Sequence, residues 1–321
     1  MNNQNLLIKY SFIKILNGSD LSRRHLPLMS AESKNSGPVV WLNGCIHGDE
    51  VGGMVVIQEI FKQIKDKLQN GKILAFPIMN PIGFETATRG IALSEEDLNR
   101  SFPGNLKGSL AERIARQIFS HIIQSQPSLV LDLHNDWTNS IPYALIESRS
   151  GLENNQVWQK SKNFAKKTKL INVLDSEKID SSLTYNLIKN NIPALTLELG
   201  ASYIVDEKNI NIGLNAVWNV LQTLNMVKPL KNPDQYPISQ SIKDKILTYS
   251  DKPYCSNSGI IRFLVKRGQI VKKNQKLARI YNAFGKLQET ILAPQNSVIL
   301  GTAEYSVVFP GTHIVALGII N

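Results

Sequence analysis

Cysteine is scarce: Cys45 and Cys255 are the only two in 321 residues, and they stand far apart in no CxxC arrangement. That excludes a framework of several disulfides; one disulfide between the two is open but unsupported, and a reduced, cytoplasmic setting is expected. Long apolar runs are missing too. No stretch approaches the roughly 18 residues that a membrane helix needs, so no membrane partner is expected. The opening segment MNNQNLLIKYSF lacks a basic start, a continuous apolar stretch and a small-residue cleavage site, so it does not read as a secretory leader. Basic residues are in excess, with a formal charge of +10, but the densest runs (Lys166-Lys167 and Lys272-Lys273) are short. With no basic patch and no interleaved aromatics, nucleic acid is not an expected partner. The positive balance suits attraction of small anionic substrates instead.

What is present is an ordinary globular composition, 42% apolar and 19% charged, enough for a normal core. The first two-thirds alternates strand-like and helix-like segments. Strands are expected at 38–44, 72–81, 128–135, 141–148 and 193–200. Amphipathic helices are expected at 49–68, 109–125, 153–168, 181–191 and 209–225. This alternation implies an α/β layer with helices flanking a sheet. The character changes near PLKNPDQYP (229–237), which carries three prolines. From about 245 the helical pattern gives way to short β-like pieces punctuated by glycine. The expected division is a hydrolase domain at 1–228, a linker at 229–244 and a smaller all-β domain at 245–321.

The chemistry concentrates at strand ends. His47 and Glu50 lie in WLNGCIHGDEVGG, just past the first of these strands, His134 closes LVLDLH, and Glu198 closes PALTLE. Ligands in open α/β sheets bind beyond the carboxyl ends of strands, so these residues can converge. Two imidazoles and a carboxylate suit an open zinc site, and a free second carboxylate suits a general base. Each residue also has an ordinary reading. An H-x-x-E spacing arises by chance, a strand histidine can be a satisfied core residue, and a buried glutamate can be half of a structural ion pair. The combination at three strand ends is what points to chemistry. Asp132, two residues before His134 and on the same side of its strand, reads either as a partner for a ligand histidine or as a structural residue.

NGCIHGDEVGG, the NP and TRG pieces, DLNRSFPG, LDLHND and TLELG follow one another in an order that resembles the succinylglutamate desuccinylase/aspartoacylase family, a branch of the zinc-carboxypeptidase-like hydrolases. The resemblance spans roughly residues 38–225. It implies a carboxypeptidase-like mixed sheet flanked by helices and one zinc ion per chain held by His47, Glu50 and His134. It further implies Glu198 as the catalytic base, Arg89 as the group that stabilises the transition state, and Asn99 with Arg100 as the grip on a substrate carboxylate. Those roles are physically sensible, since one guanidinium can stabilise an oxyanion and another can hold a carboxylate through two hydrogen bonds. Asp97 reads either as an orienting group or as a helix cap. The implied activity is deacylation of a small anionic N-acyl amino acid, by hydrolysis of a linear, non-peptide C–N bond.

Aspartoacylase carries a further arginine about ten residues before its catalytic glutamate. Here that stretch reads SSLTYNLIKNNIPALTLELG, with Lys189 the nearest basic residue and Arg149 of ESRS the other nearby cation. This departure argues against N-acetylaspartate, and SLTY resembles the general deacylase branch, which includes acetyl-diaminobutyrate deacetylases. Residues 245–321 resemble the family's β domain, similar to biotinyl/lipoyl barrel-sandwich modules. Lys286 stands in NAFGKLQE without the MKM-type carrier motif, so a structural unit bordering the active-site mouth is expected. Two rival readings stay open, a metallocarboxypeptidase using the same ligands and a catalytically silent binding protein of the same fold. Assembly into a homo-oligomer also stays open.

Overall fold

Apolar strands alternating with amphipathic helices build, in the computed structural model of the chain, a large mixed sheet and a small second sheet. The structure describes residues 7–18, 21–231, 233, 236–303 and 305–320. Residues 1–6 of the opening segment, and Asn232, Asp234 and Gln235 of the proline-rich stretch, lie outside them. In chain order the first part comprises β1 (Leu7–Asn17), β2 (Arg23–Glu32), β3 (Val39–Gly44), α1 (Gly52–Ile64), β4 (Lys72–Phe76), α2 (Pro81–Thr86), a 3-10 turn (Leu98–Arg100), α3 (Leu110–Gln124), β5 (Leu129–His134), β6 (Asn139–Ser140), β7 (Tyr143–Ile146), α4 (Gln156–Lys167), β8 (Ile171–Leu174), α5 (Leu183–Lys189), β9 (Ala194–Glu198) and α6 (Glu207–Thr223). Then follow β10 (Ile246–Ser250), β11 (Gly259–Phe263), β12 (Ile270–Val271), β13 (Lys276–Tyr281), β14 (Leu287–Leu292), β15 (Ser297–Thr302), β16 (Val307–Val308) and β17 (Val315–Ile319).

The large sheet runs β1-β2-β4-β3-β5-β9-β7-β8-β10-β17-β15-β12, with β6 joined to β15. Its centre, β4-β3-β5-β9, is parallel, and β7 lies antiparallel to β9. The central strands are buried along nearly their whole length and mostly apolar, as strands covered on both faces are. Helix α1 buries Val56, Ile57, Ile60, Phe61 and Ile64, a stripe at helical spacing. Helix α3 opens with a capping box in which Ser109 and Glu112 satisfy each other's backbone N–H groups, which fixes where that helix begins.

Three local departures from the sequence expectation have physical causes. The first helix starts at Gly52, not at 49, so His47 and Glu50 occupy a loop and not a helical turn. Its capping oxygen comes from another segment, with Gly52 N–H donating to Asn135 Oδ1 at 2.9 Å. The strand expected at 72–81 stops at Phe76, because Pro81 begins α2 behind an Asn80 cap. The β1–β2 hairpin and β8 are additions, and β8, at four residues, is too short to show a periodicity.

The C-terminal residues are all-β and contribute to both sheets. β10, β12, β15 and β17 extend the large sheet, while β14-β13-β11-β16 form the small one. A second apolar core, including Ile261, Leu277, Ile280, Ile299, Val315 and Leu317, lies among these strands. Among the described residues, no helix is long and apolar enough to cross a membrane.

Candidate active site

The tight turn after β3 creates the first half of the site. Cys45 sits at φ 47°, and Glu50 N–H closes the turn on His47 O at 3.2 Å. Gly48 lies hard against α2: a β-carbon there would come within 1.9 Å of the Gly83 backbone. Only glycine permits that approach, and with it His47 and Glu50 face the same point. Strand β5 brings the second half. Asp132 and His134 project to one face of the sheet, and in the adjacent register His134 stands beside Glu198 of β9.

His47, Glu50 and His134 are all buried, and their ligand atoms lie within 4.8 Å of one another, an arrangement able to hold a metal ion. Glu50 Oε1 is 2.6 Å from His47 Nδ1, and Glu50 Oε2 is 3.0 Å from His134 Nδ1. Both imidazoles thus turn Nδ1 inward. Each outward Nε2 meets a carboxylate, Asp97 for His47 and Asp132 for His134, both at 3.1 Å. Such outer carboxylates fix the tautomer and orientation of ligand histidines. Asp97 therefore fills both readings open to it from sequence, because its Oδ1 also caps the 3-10 turn through Asn99 N–H. Asp132 takes the partner reading.

Electrostatics agree with a cation-binding site. Burial opposes charge on both imidazoles, but Glu50 with Asp97, and Asp132 with Glu50, outweigh it and raise the proton affinity of His47 and His134. Burial pushes the Glu50 carboxyl up, and the two histidines hold it well below the usual carboxylate range. The carboxylates that raise the proton affinity of the two imidazoles would equally attract a divalent cation among the same donors. That donor set, two nitrogens and a carboxylate with carboxylates behind the nitrogens, fits zinc chemistry.

Around this cluster stand the remaining residues of interest. Glu198 is held at high proton affinity by burial, with His134 opposing, and among the described residues its Oε2 has no hydrogen-bond partner. Arg89 donates through Nε and Nη2 to Asp97 Oδ2 at 3.2 and 3.1 Å, and its Nη1 lies 3.6 Å from Glu50 Oε1. Asn99 accepts from Leu183 N–H through Oδ1 at 2.9 Å, which leaves its NH2 for the cleft. Arg100 is exposed and donates to Asn99 O at 3.0 Å. All seven residues singled out from sequence line one cleft of about 150 Å³. Arg149 is not among its lining residues; it stacks over Trp158 and donates to Glu153 O.

Sequence reasoning missed Asn135, which welds three segments. Its backbone N–H donates to Glu50 Oε2 at 3.0 Å, and its side chain bonds Gly52 N–H and the Gly200 carbonyl. Its place directly after His134 in LDLHND was the available signal. Glu147 and Asp175 also line the cleft, and no motif marked them. A second cleft of about 300 Å³ shares Glu50, Arg89, Asn135 and Asp136 with the first and is completed by Trp137, Tyr203, Ala303, Tyr305 and His313. The loops that join β15, β16 and β17 therefore border the site directly.

The sequence profile of the succinylglutamate desuccinylase/aspartoacylase catalytic domain matches residues 36–224. The chain belongs to that family. Among relatives, an N-alpha-acetyl-L-2,4-diaminobutyric acid deacetylase of Halomonas elongata is 24% identical over 282 residues, covering 86% of this chain and 80% of that protein. The fold matches that of an ectoine utilization protein from Ruegeria pomeroyi, solved with product bound, at a TM-score of 0.81 and 20% identity over 99% of this chain and 100% of the other. An aspartoacylase family protein of Mesorhizobium loti superposes at 0.78 with 20% identity, over 98% and 96% of the two chains. A metallo-carboxypeptidase of Burkholderia cenocepacia superposes at 0.53 with 14% identity over 67% of this chain and 65% of its own, which places the family member's fold beside the carboxypeptidases.

Proposed function

We propose that the protein is a zinc-dependent deacylase that hydrolyses the amide bond of a small N-acyl amino acid. The observation that carries this reading is the convergence of His47 Nδ1, His134 Nδ1 and the Glu50 carboxylate within 4.8 Å, with Glu198 beside His134 in the sheet. The Halomonas relative, a deacetylase of an N-acetyl amino acid by name, supports the substrate class. Two clefts meeting at the cluster suit an amide, which has an amino-acid side and an acyl side.

A zinc ion held by His47, Glu50 and His134 would act as a Lewis acid, polarising the carbonyl and making water acidic near neutral pH. Glu198 takes the proton of the attacking water on a carboxylate oxygen and delivers it to the leaving nitrogen. Its burial raises its proton affinity and so strengthens it as a base. The Arg89 guanidinium, held by Asp97, faces the developing oxyanion. Asn99 and Arg100 hold the α-carboxylate at the other end. Loops between the C-terminal strands wall the acyl-side cleft through Ala303, Tyr305 and His313 and limit what fits there.

Metal analysis with a substrate panel tests the reading. One zinc per chain and hydrolysis of N-acetyl amino acids are expected, with C-terminally unblocked peptides poor. Robust peptide cleavage would move the assignment to a carboxypeptidase. Glu198→Gln is expected to keep its metal and lose at least a hundredfold in kcat; full activity in that variant removes the proposed base.

A further inference from the structure

The amino-acid cleft is lined by groups of both signs, and its outer carboxylates have no part in the hydrolytic scheme. Arg100 and Asn99 line it, and so do Glu147 and Asp175, with Leu145, Ile179 and Thr196. Strand register sets the two carboxylates apart from the catalytic centre. Tyr143 of β7 pairs with Glu198, and Leu145 pairs with Thr196. Glu147 therefore lies a further step from the catalytic centre, roughly 13 Å along the chain from Tyr143 at the usual rise per residue. Asp175 N–H bonds Ile146 O at 2.9 Å, which sets Asp175 beside Glu147.

Glu147 is built into place. Thr184 Oγ1 donates to its Oε2 at 2.7 Å, and Ser182 Oγ at 3.4 Å. Both donors are buried. These hydroxyls orient the carboxylate without neutralising it. Among the described residues, neither Glu147 nor Asp175 has a Lys, Arg or His nitrogen within ion-pair distance. Burial, with Asp175 adding to it, pushes the Glu147 carboxyl up to about 7 against the pull of Thr184. Arg100 draws on Asp175 from beyond ion-pair distance, but two carboxylates side by side in a cleft, neither paired with a cation, are costly unless something positive arrives. The cleft holds about 150 Å³, about five waters' share of liquid volume, so the arriving group is small.

We propose that Glu147 and Asp175 form the side-chain subsite of this cleft and select N-acyl α-amino acids whose short side chain ends in an ammonium group. The proposal rests on the deacylase reading for its substrate's other half, the α-carboxylate held at Asn99 and Arg100. A substrate of this kind carries one charge of each sign, matched to the Arg100 guanidinium and the two carboxylates that line the cleft. A carboxylate side chain, by contrast, would face two carboxylates.

Three substrate sets test it on the metal-loaded enzyme. They are N-α-acetyl derivatives of 2,4-diaminobutyrate, ornithine and lysine; the neutral analogues N-acetyl-2-aminobutyrate, -norvaline and -norleucine; and N-acetylaspartate with N-acetylglutamate. The cationic set is expected to exceed its neutral analogues at least tenfold in kcat/KM, with the anionic pair slowest. In Glu147→Gln the preference for cation over neutral analogue should fall tenfold to a hundredfold, the range for a lost charge-assisted hydrogen bond, and Asp175→Asn should erode it too. Calorimetric binding of the free diamino acids against 2-aminobutyrate and norvaline gives a readout independent of turnover. Tighter binding of the diamino acids to the wild type, lost in Glu147→Gln, supports the subsite even if no acyl substrate is cleaved, in which case the deacylase reading alone falls. Efficient cleavage of neutral or anionic substrates with no cationic preference overturns the subsite and leaves the deacylase reading standing. An equal loss on all three sets in Glu147→Gln also overturns it, because that marks a merely structural carboxylate.

Discussion

Each imidazole of the cluster is held from behind by a carboxylate, and this arrangement sets what single substitutions should do. Asp132 is 1% exposed and contacts His134 alone among the cluster residues. Asp97 serves His47 and Arg89 together. Asp132→Asn and Asp97→Asn should each weaken metal binding about tenfold to a hundredfold, measurable by competition with a chromophoric chelator. Asp97→Asn should lose more in kcat at saturating metal, because Arg89 loses its anchor as well. Glu147 makes a different prediction. Its carboxyl titrates in the ordinary range when unfolded but near 7 when folded, so ionisation opposes folding. That destabilisation is absent at acid pH, grows as pH rises through the unfolded value of about 4.5 and is complete above 7. Without substrate, Glu147→Gln should therefore raise Tm at pH 8, by an effect bounded at about 3 kcal/mol. The gain should vanish near pH 4, and a gain of equal size at both pH values would rule out this origin.

At the scale of elements, the decisive piece is the loop between β3 and α1. It has no capping side chain of its own, and Asn135 of the segment after β5 supplies the cap to Gly52. It presses Gly48 against α2. Gly48→Ala forces apart backbone that has nowhere to go, so a loss of roughly 3 kcal/mol or more is expected, together with reduced metal content. Thermal melts and metal analysis on the same sample check both, and normal zinc in a destabilised protein would separate the loop's packing from its ligand geometry.

The whole molecule ties its C-terminal strands to the chemistry. β10 pairs with β8, and β15 pairs with β6, which follows His134 by five residues. Arg267 bonds Ser140 O and Asp206 across the same junction. Removing residues 245–321 would bare the β8 edge and the apolar side chains of Tyr143, Ile171 and Val173, which share a cluster with Leu247 and Leu300. A chain ending at 244 is expected to aggregate on expression. A soluble, two-state 1–244 fragment would instead support the domain division at 228 and 245 that the composition change proposes.

Much of this was legible in the sequence. The α/β alternation followed from apolar periodicity, and His47, Glu50, His134 and Glu198 stood out because strand ends and glycine-marked turns are local features. Arg89, Asn99 and Arg100 were reachable only through motif resemblance, since an isolated arginine carries no pattern. What no local signal could give was which residue faces which. The pairing of Asp97 with the outward nitrogen of His47 depends on segments fifty residues apart meeting at one point, whereas that of Asp132 with His134 lies along one strand. Glu147 and Asp175 come together only because β7 and β8 are neighbours in the sheet. Chemistry-bearing residue types and their strand-end positions are properties of the chain alone; the charge that each carboxylate meets, and so its task, is set by register and burial.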